Sequence, residues 1–124
     1  MMRPLAIAAL AGLALGACSK GPKAPTTPRV CYHMAELPDG ERRFNVVQRD
    51  VKNIEFCAVA LERMRLHFLR LGGDKEEIVG TYGGQYIFLR RDGVFTARSY
   101  DGVPYLLLRR HSGNLVVPGI IQGE

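Results

Sequence analysis

Three histidines and three cysteines are the side chains of this sequence best suited to catalysis or metal binding, so their spacing is read first. His33, His67 and His111 lie far apart in the chain, with no companion carboxylate at a ligand spacing, so a metal site would require the fold to assemble it. Cys31 and His33 share a face if their segment is a strand, because side chains alternate there, but a disulfide at Cys31 would consume the thiol. Ser112 follows His111 without a nucleophile elbow or a base held by an orienting partner. Gly80, Gly83 and Gly84 precede no Gly-Lys-Ser/Thr, so they are turn glycines and not a phosphate loop. These residues predict no catalytic site, no metal and no cofactor.

Arginine is the other chemically expressive residue. Arg90 and Arg91 close one apolar run, Arg109 and Arg110 close another nineteen residues later, and Arg98 lies between them. The whole chain has 124 residues, with 17 basic against 12 acidic side chains and a formal charge of +5. At 47% hydrophobic and 23% charged residues it is too apolar for a disordered tail, and its length suits one small domain. A site built between two large domains is therefore excluded.

The N-terminus fixes the compartment. Arg3 gives Met1 to Pro4 a positive charge, and Leu5 to Leu15 is an apolar run of eleven residues, far below the roughly 20 needed to span a bilayer as a helix. Leu15, Gly16, Ala17 and Cys18 follow, and this segment resembles the lipobox signal peptide of bacterial lipoproteins. The resemblance implies that residues 1–17 are removed and that Cys18 becomes an acylated N-terminus, carrying palmitate-type chains that hold the protein on a membrane. Ser19, where enterobacterial lipoproteins kept at the inner membrane have an aspartate, resembles the outer-membrane pattern. The implied location is the bacterial cell envelope, on the outer membrane facing the periplasm. Export also removes nucleic acid from the expected partners of a basic domain.

Residues 18–29 then read as the acylated cysteine and a tether. Pro22, Pro25 and Pro28 exclude a helix, and residues 19–29 in extended polyproline geometry would reach roughly 34 Å. With Cys18 acylated, Cys31 and Cys57 remain as an even pair in a compartment that permits disulfides, so they are expected to be joined. Closing that loop is worth about 3.5 kcal/mol in the chain-entropy model.

Residues 30–124 read as a single α+β domain: one amphipathic helix packed on an antiparallel β-meander, preceded by a short hairpin. The hairpin runs through Val30 to Glu36, a turn at 37–40, and Arg43 to Gln48. Ile54, Cys57, Ala58, Leu61, Met64, Phe68 and Leu71 then recur at helical spacing, with Asp50 or Asn53 as a cap and Gly72 as the stop. Strands at 78–82, 85–91, 94–100 and 103–110 follow, separated by Gly-Gly or Asp-Gly turns. Tyr86 to Arg91 and Tyr105 to Arg110 form a weak internal repeat.

With two-residue turns throughout, Val79, Thr81, Tyr86, Phe88, Phe95, Ala97, Ser99, Leu106 and Leu108 share the more apolar face, expected under the helix. The other face would carry Arg91, Arg98 and Arg109 beside Tyr82, Tyr100 and Tyr105, residue types that serve as interface anchors. Arg90, Arg91, Arg109 and Arg110 would meet at one edge of the sheet. These features predict a lipid-anchored, non-catalytic envelope lipoprotein whose domain docks on a larger envelope or outer-membrane complex. The alternative is a binding module that holds an anionic envelope ligand, lipopolysaccharide or peptidoglycan, through the clustered arginines. In size and layout the domain is similar to accessory lipoproteins of outer-membrane assembly machines, with no shared motif.

Overall fold

The computed structural model describes residues 23–73 and 77–118; the signal segment, Cys18 and the first part of the tether lie outside the described residues. The domain is α+β, with one helix and a seven-stranded antiparallel sheet that forms most of its body. In chain order the elements are β1 (Val30–Glu36), β2 (Arg42–Arg49), α1 (Ile54–Arg70), β3 (Ile78–Tyr82), β4 (Gln85–Arg90), β5 (Gly93–Ala97), β6 (Tyr105–His111) and β7 (Asn114–Val116). Their order across the sheet is β2-β1-β3-β4-β5-β6-β7. The first two strands do not stand apart as a preceding hairpin, because β1 also pairs with β3 and so joins them to the main sheet. Helix α1 carries the chain from β2 across one face to β3.

The ends of α1 are built as its sequence dictates. Asn53 Oδ1 accepts a hydrogen bond from the Phe56 amide at 3.0 Å, satisfying one of the first-turn donors. At the other end Gly72 takes a φ of 93°; its amide bonds the Leu69 carbonyl and that of Gly73 bonds Phe68, which is the Schellman arrangement. Cys57, Ala58 and Leu61 are buried against the sheet, whereas Phe68 and Leu71, later on the same stripe, are 39% and 71% exposed. The last turns of the helix therefore run past the surface that the first turns cover.

Cys31 and Cys57 are bonded, with their Cα atoms 5.3 Å apart, stapling α1 to β1. This bond decides which face the helix covers, and that face is the reverse of the one expected. Cys31 pairs with Tyr82 and His33 with Gly80, so the helix side carries Ile78, Gly80, Ile87, Leu89 and Val94. Gly80 fits there because a β-carbon would collide with the Leu61 side chain and approach the Tyr32 carbonyl oxygen to 2.5 Å. The aromatic set, Tyr86 and Phe88 with Met34 and Ala97, forms a second cluster on the far side. An α-helix approaches a sheet closely over aliphatic residues and glycine, and the bulky rings fall to the side that no helix covers.

The two-residue turn expected at Gly83-Gly84 holds; the one expected at Asp92-Gly93 lies one residue earlier, at Arg91-Asp92, with Gly93 paired to Arg90 inside β5; and β5 and β6 are joined by residues 98–104. Asp101-Gly102 is not a hairpin turn, and Pro104 lacks the amide that a continued strand would need. A bulge between Val94 and Phe95 in the pairing with β6 also shifts register, so Leu108 lies with the helix-side core. The repeat is consequently split. Leu89 and Leu108 are equivalent, whereas Tyr86 is buried on the far side and Tyr105 is 55% exposed. Ser112 and Gly113, with φ of 51° and 84°, make a further tight turn into β7, a strand the sequence reading did not include.

Candidate docking surface

The six residues expected on one face, Arg91, Arg98, Arg109, Tyr82, Tyr100 and Tyr105, do not share it. Tyr82 lies on the helix side, where its hydroxyl donates to the Val51 carbonyl at 2.6 Å. Tyr100 folds back onto the far side: its ring meets Tyr86 edge-on at 5.7 Å, and the Arg42 guanidinium sits 4.6 Å above it. Burial pushes the Tyr86 hydroxyl to a higher pKa than usual, and the neighbouring Arg42 charge opposes that shift. Tyr105 and Arg98 are exposed near the start of β6 and the end of β5. The physical reason for this dispersal is the longer 98–104 connection, which breaks the alternation assumed for a two-residue turn.

The edge cluster is assembled more nearly as expected. Strands β4 and β6 run in the same direction with β5 between them, and Arg110 Nε donates to the Arg90 carbonyl at 2.9 Å. Arg90 turns to the far side, its guanidinium 5.4 Å above the Phe88 ring and 5.3 Å above Phe95. Arg110 turns to the helix side and meets Glu62, a residue that sequence reasoning missed. Glu62 Oε2 and Oε1 accept from Arg110 Nη1 at 2.7 Å and Nη2 at 3.1 Å. Arg65 adds bonds of 3.0 and 3.1 Å to the same carboxylate. Burial by itself would raise the Glu62 pKa, but the hydrogen bonds and charges of Arg110 and Arg65 outweigh it and lower the value from 4.5 to about 2. The three-residue spacing of Glu62 and Arg65 on a helix was the available signal; the partnership with Arg110 was not visible, since it spans 48 residues.

Glu62, Arg65, Leu66, Leu69, Arg91 and Arg110 border a hollow of about 370 Å³. Glu62 occupies the position between Arg65 and Arg110 that an anion would take. What the hollow presents outward is therefore a mixed surface: Leu66, 40% exposed, and Leu69 from the helix, with Arg91 after β4; Arg109, next to Arg110 on β6, is exposed on the opposite face of the sheet. Among the described residues, no group of three or more His, Cys, Asp or Glu side chains could hold a metal ion. Nor, among them, is any helix long and apolar enough to cross a membrane. Compared with protein-family models, with curated proteins and with solved structures, the chain matches none.

Proposed function

We propose that this is a lipid-anchored, non-catalytic lipoprotein of the bacterial envelope, held through acyl chains on Cys18 at the outer membrane, and that its domain docks on a larger envelope complex. The observation that carries the docking reading is the surface where α1 outruns the sheet. There Leu66, 40% exposed, and Leu69 border the same hollow as Arg91 and Arg110, and Leu71 stands 71% exposed after the last turn of the helix. Apolar side chains ringed by arginine are the composition of an interface core with a polar rim. The Cys31–Cys57 bond suits an oxidising compartment and supports the exported location.

The anion-binding alternative receives less support, because the best-placed guanidinium pair already shares the Glu62 carboxylate. Crosslinking in intact envelopes followed by mass spectrometry tests the proposal. The expected result is crosslinks from the helix end around Leu66 and from the β4–β5 turn to one protein complex, lost in Leu66→Asp with Arg91→Glu. Salt-sensitive retention on isolated lipopolysaccharide or peptidoglycan, with no protein crosslinks, would favour the alternative.

A further inference from the structure

The end of the sheet opposite that surface carries three features with one common explanation. The first is where the tether leaves the domain. Residues 23–29 are not all free stalk: Ala24 packs against the far-side aromatic cluster, and Thr26 lies alongside Gly84 in the β3–β4 turn. From Lys23 to Cys18 there are five residue steps, which span at most about 18 Å however they are arranged, half the reach of an unpacked tether.

The second feature is an exposed apolar segment at the same end. Val103 is 87% exposed and Tyr105 55%, with Pro104 between them. The segment adjoins the exit of the tether, since Gln85 Nε2 reaches the Tyr105 hydroxyl at 3.4 Å and Gln85 follows Gly84 directly. The third feature is charge. Lys23, Arg29, Arg49, Lys52 and Arg98 are all exposed at this end. Asp50, Glu55 and Asp101 oppose them, leaving an excess of two positive charges.

We infer that this end of the sheet rests on the bilayer that holds the acyl chains, with Val103 and Tyr105 in the interfacial layer and the basic side chains on anionic phospholipid headgroups. Tyrosine suits that layer because its ring is apolar and its hydroxyl is wet, and the basic side chains are drawn to anionic lipid. The tether keeps this end within about 18 Å of the acylated cysteine, so the exposed apolar and basic side chains meet the bilayer first, and the Leu66 and Arg91 surface is then presented away from the membrane. The inference rests on the acylation of Cys18, and its test separates the two.

The chain contains no tryptophan, so one introduced indole reports alone. Acylated protein extracted from membranes is reconstituted, as Val103→Trp and as Leu71→Trp at the opposite end, into vesicles of phosphatidylglycerol and phosphatidylcholine with brominated chains. In protein that floats with the vesicles, the Val103→Trp emission should move to shorter wavelength and lose most of its intensity, while Leu71→Trp stays water-like. On the unsubstituted protein, the amides of Val103 and Tyr105 should exchange more slowly on vesicles than in detergent. Flotation with Val103→Trp unquenched, or with Leu71→Trp quenched instead, would overturn the orientation while leaving the anchor standing. A shift that grows with protein density and ignores the bromines would assign the segment to a second copy and overturn the inference. Protein that does not float at all would remove the anchor itself.

Discussion

The two faces of the sheet are closed by different means. On the helix side Cys31, Cys57, Leu61, Ile87, Leu89 and Val94 are wholly excluded from water, and a covalent bond fixes the helix over them. On the far side Tyr86 and Phe88 are covered by separate small pieces: Ala24 from the tether, Tyr100 from the 98–104 loop, and the guanidinium groups of Arg42 and Arg90. The first closure is one cooperative unit, whereas each piece of the second is worth only about 0.5–1.5 kcal/mol. Stability should therefore be concentrated on the helix side, and the far side should tolerate rearrangement.

The largest effect expected is loss of the staple. Cys31→Ala with Cys57→Ala should lower the unfolding free energy by about 3.5 kcal/mol, read as a fall in urea midpoint. A change under about 1 kcal/mol would mean that packing alone seats the helix, and the contrast between the faces would collapse.

Glu62 comes next, through pH. Its folded pKa of about 2 lies below the ordinary 4.5, so the unfolded chain takes up the proton first as pH falls. The stabilisation is complete above about pH 4.5, is lost progressively towards pH 2, and is on the order of 3 kcal/mol. Urea titrations at about pH 6 and about pH 2.5 should show a drop that is largely missing in Glu62→Gln. A parallel drop in that variant would assign acid sensitivity to other carboxylates. Gly80→Ala is a smaller and steric test of the same face. Its methyl group has to displace Leu61 and the Tyr32 carbonyl, at a cost of roughly 1–3 kcal/mol in urea unfolding.

The contrast between the faces also explains which parts of the molecule were legible. Helix α1, its cap at Asn53, its stop at Gly72 and the tight turn at Gly83-Gly84 all follow from local residue chemistry, and the β4–β5 turn was placed to within one residue. Pairing of Cys31 with Cys57 follows from counting cysteines once Cys18 is set aside. The choice of face did not follow, because both faces alternate correctly and one residue of slip exchanges them. Gly80 held the clue, a strand glycine that marks close approach of another element. The 98–104 loop was hidden by an Asp-Gly pair that looked like a complete turn, and that error scattered the expected tyrosine and arginine face. Arg110 was placed at the correct edge, but its binding to Glu62 depends on how α1 crosses the sheet.

The smallest effect sharpens the comparison most, because it uses one residue type at one end of the sheet on opposite faces. Arg110 is held by a buried carboxylate, with 17% of its side chain exposed, and Arg110→Gln should cost several times as much as Arg90→Gln. The Arg90 guanidinium meets only ring faces among the contacts described above, and Arg110 donates to its backbone carbonyl, which substitution leaves in place. Arg90→Gln should therefore lower stability by only about 0.5–1 kcal/mol in urea unfolding. Its effect should also be insensitive to acid, since no carboxylate is involved, while that of Arg110→Gln should shrink as Glu62 becomes protonated. Equal costs at neutral pH would show that the far-side arginine closes its face as firmly as the ion pair closes the other, and the two faces would then have to be treated as one core.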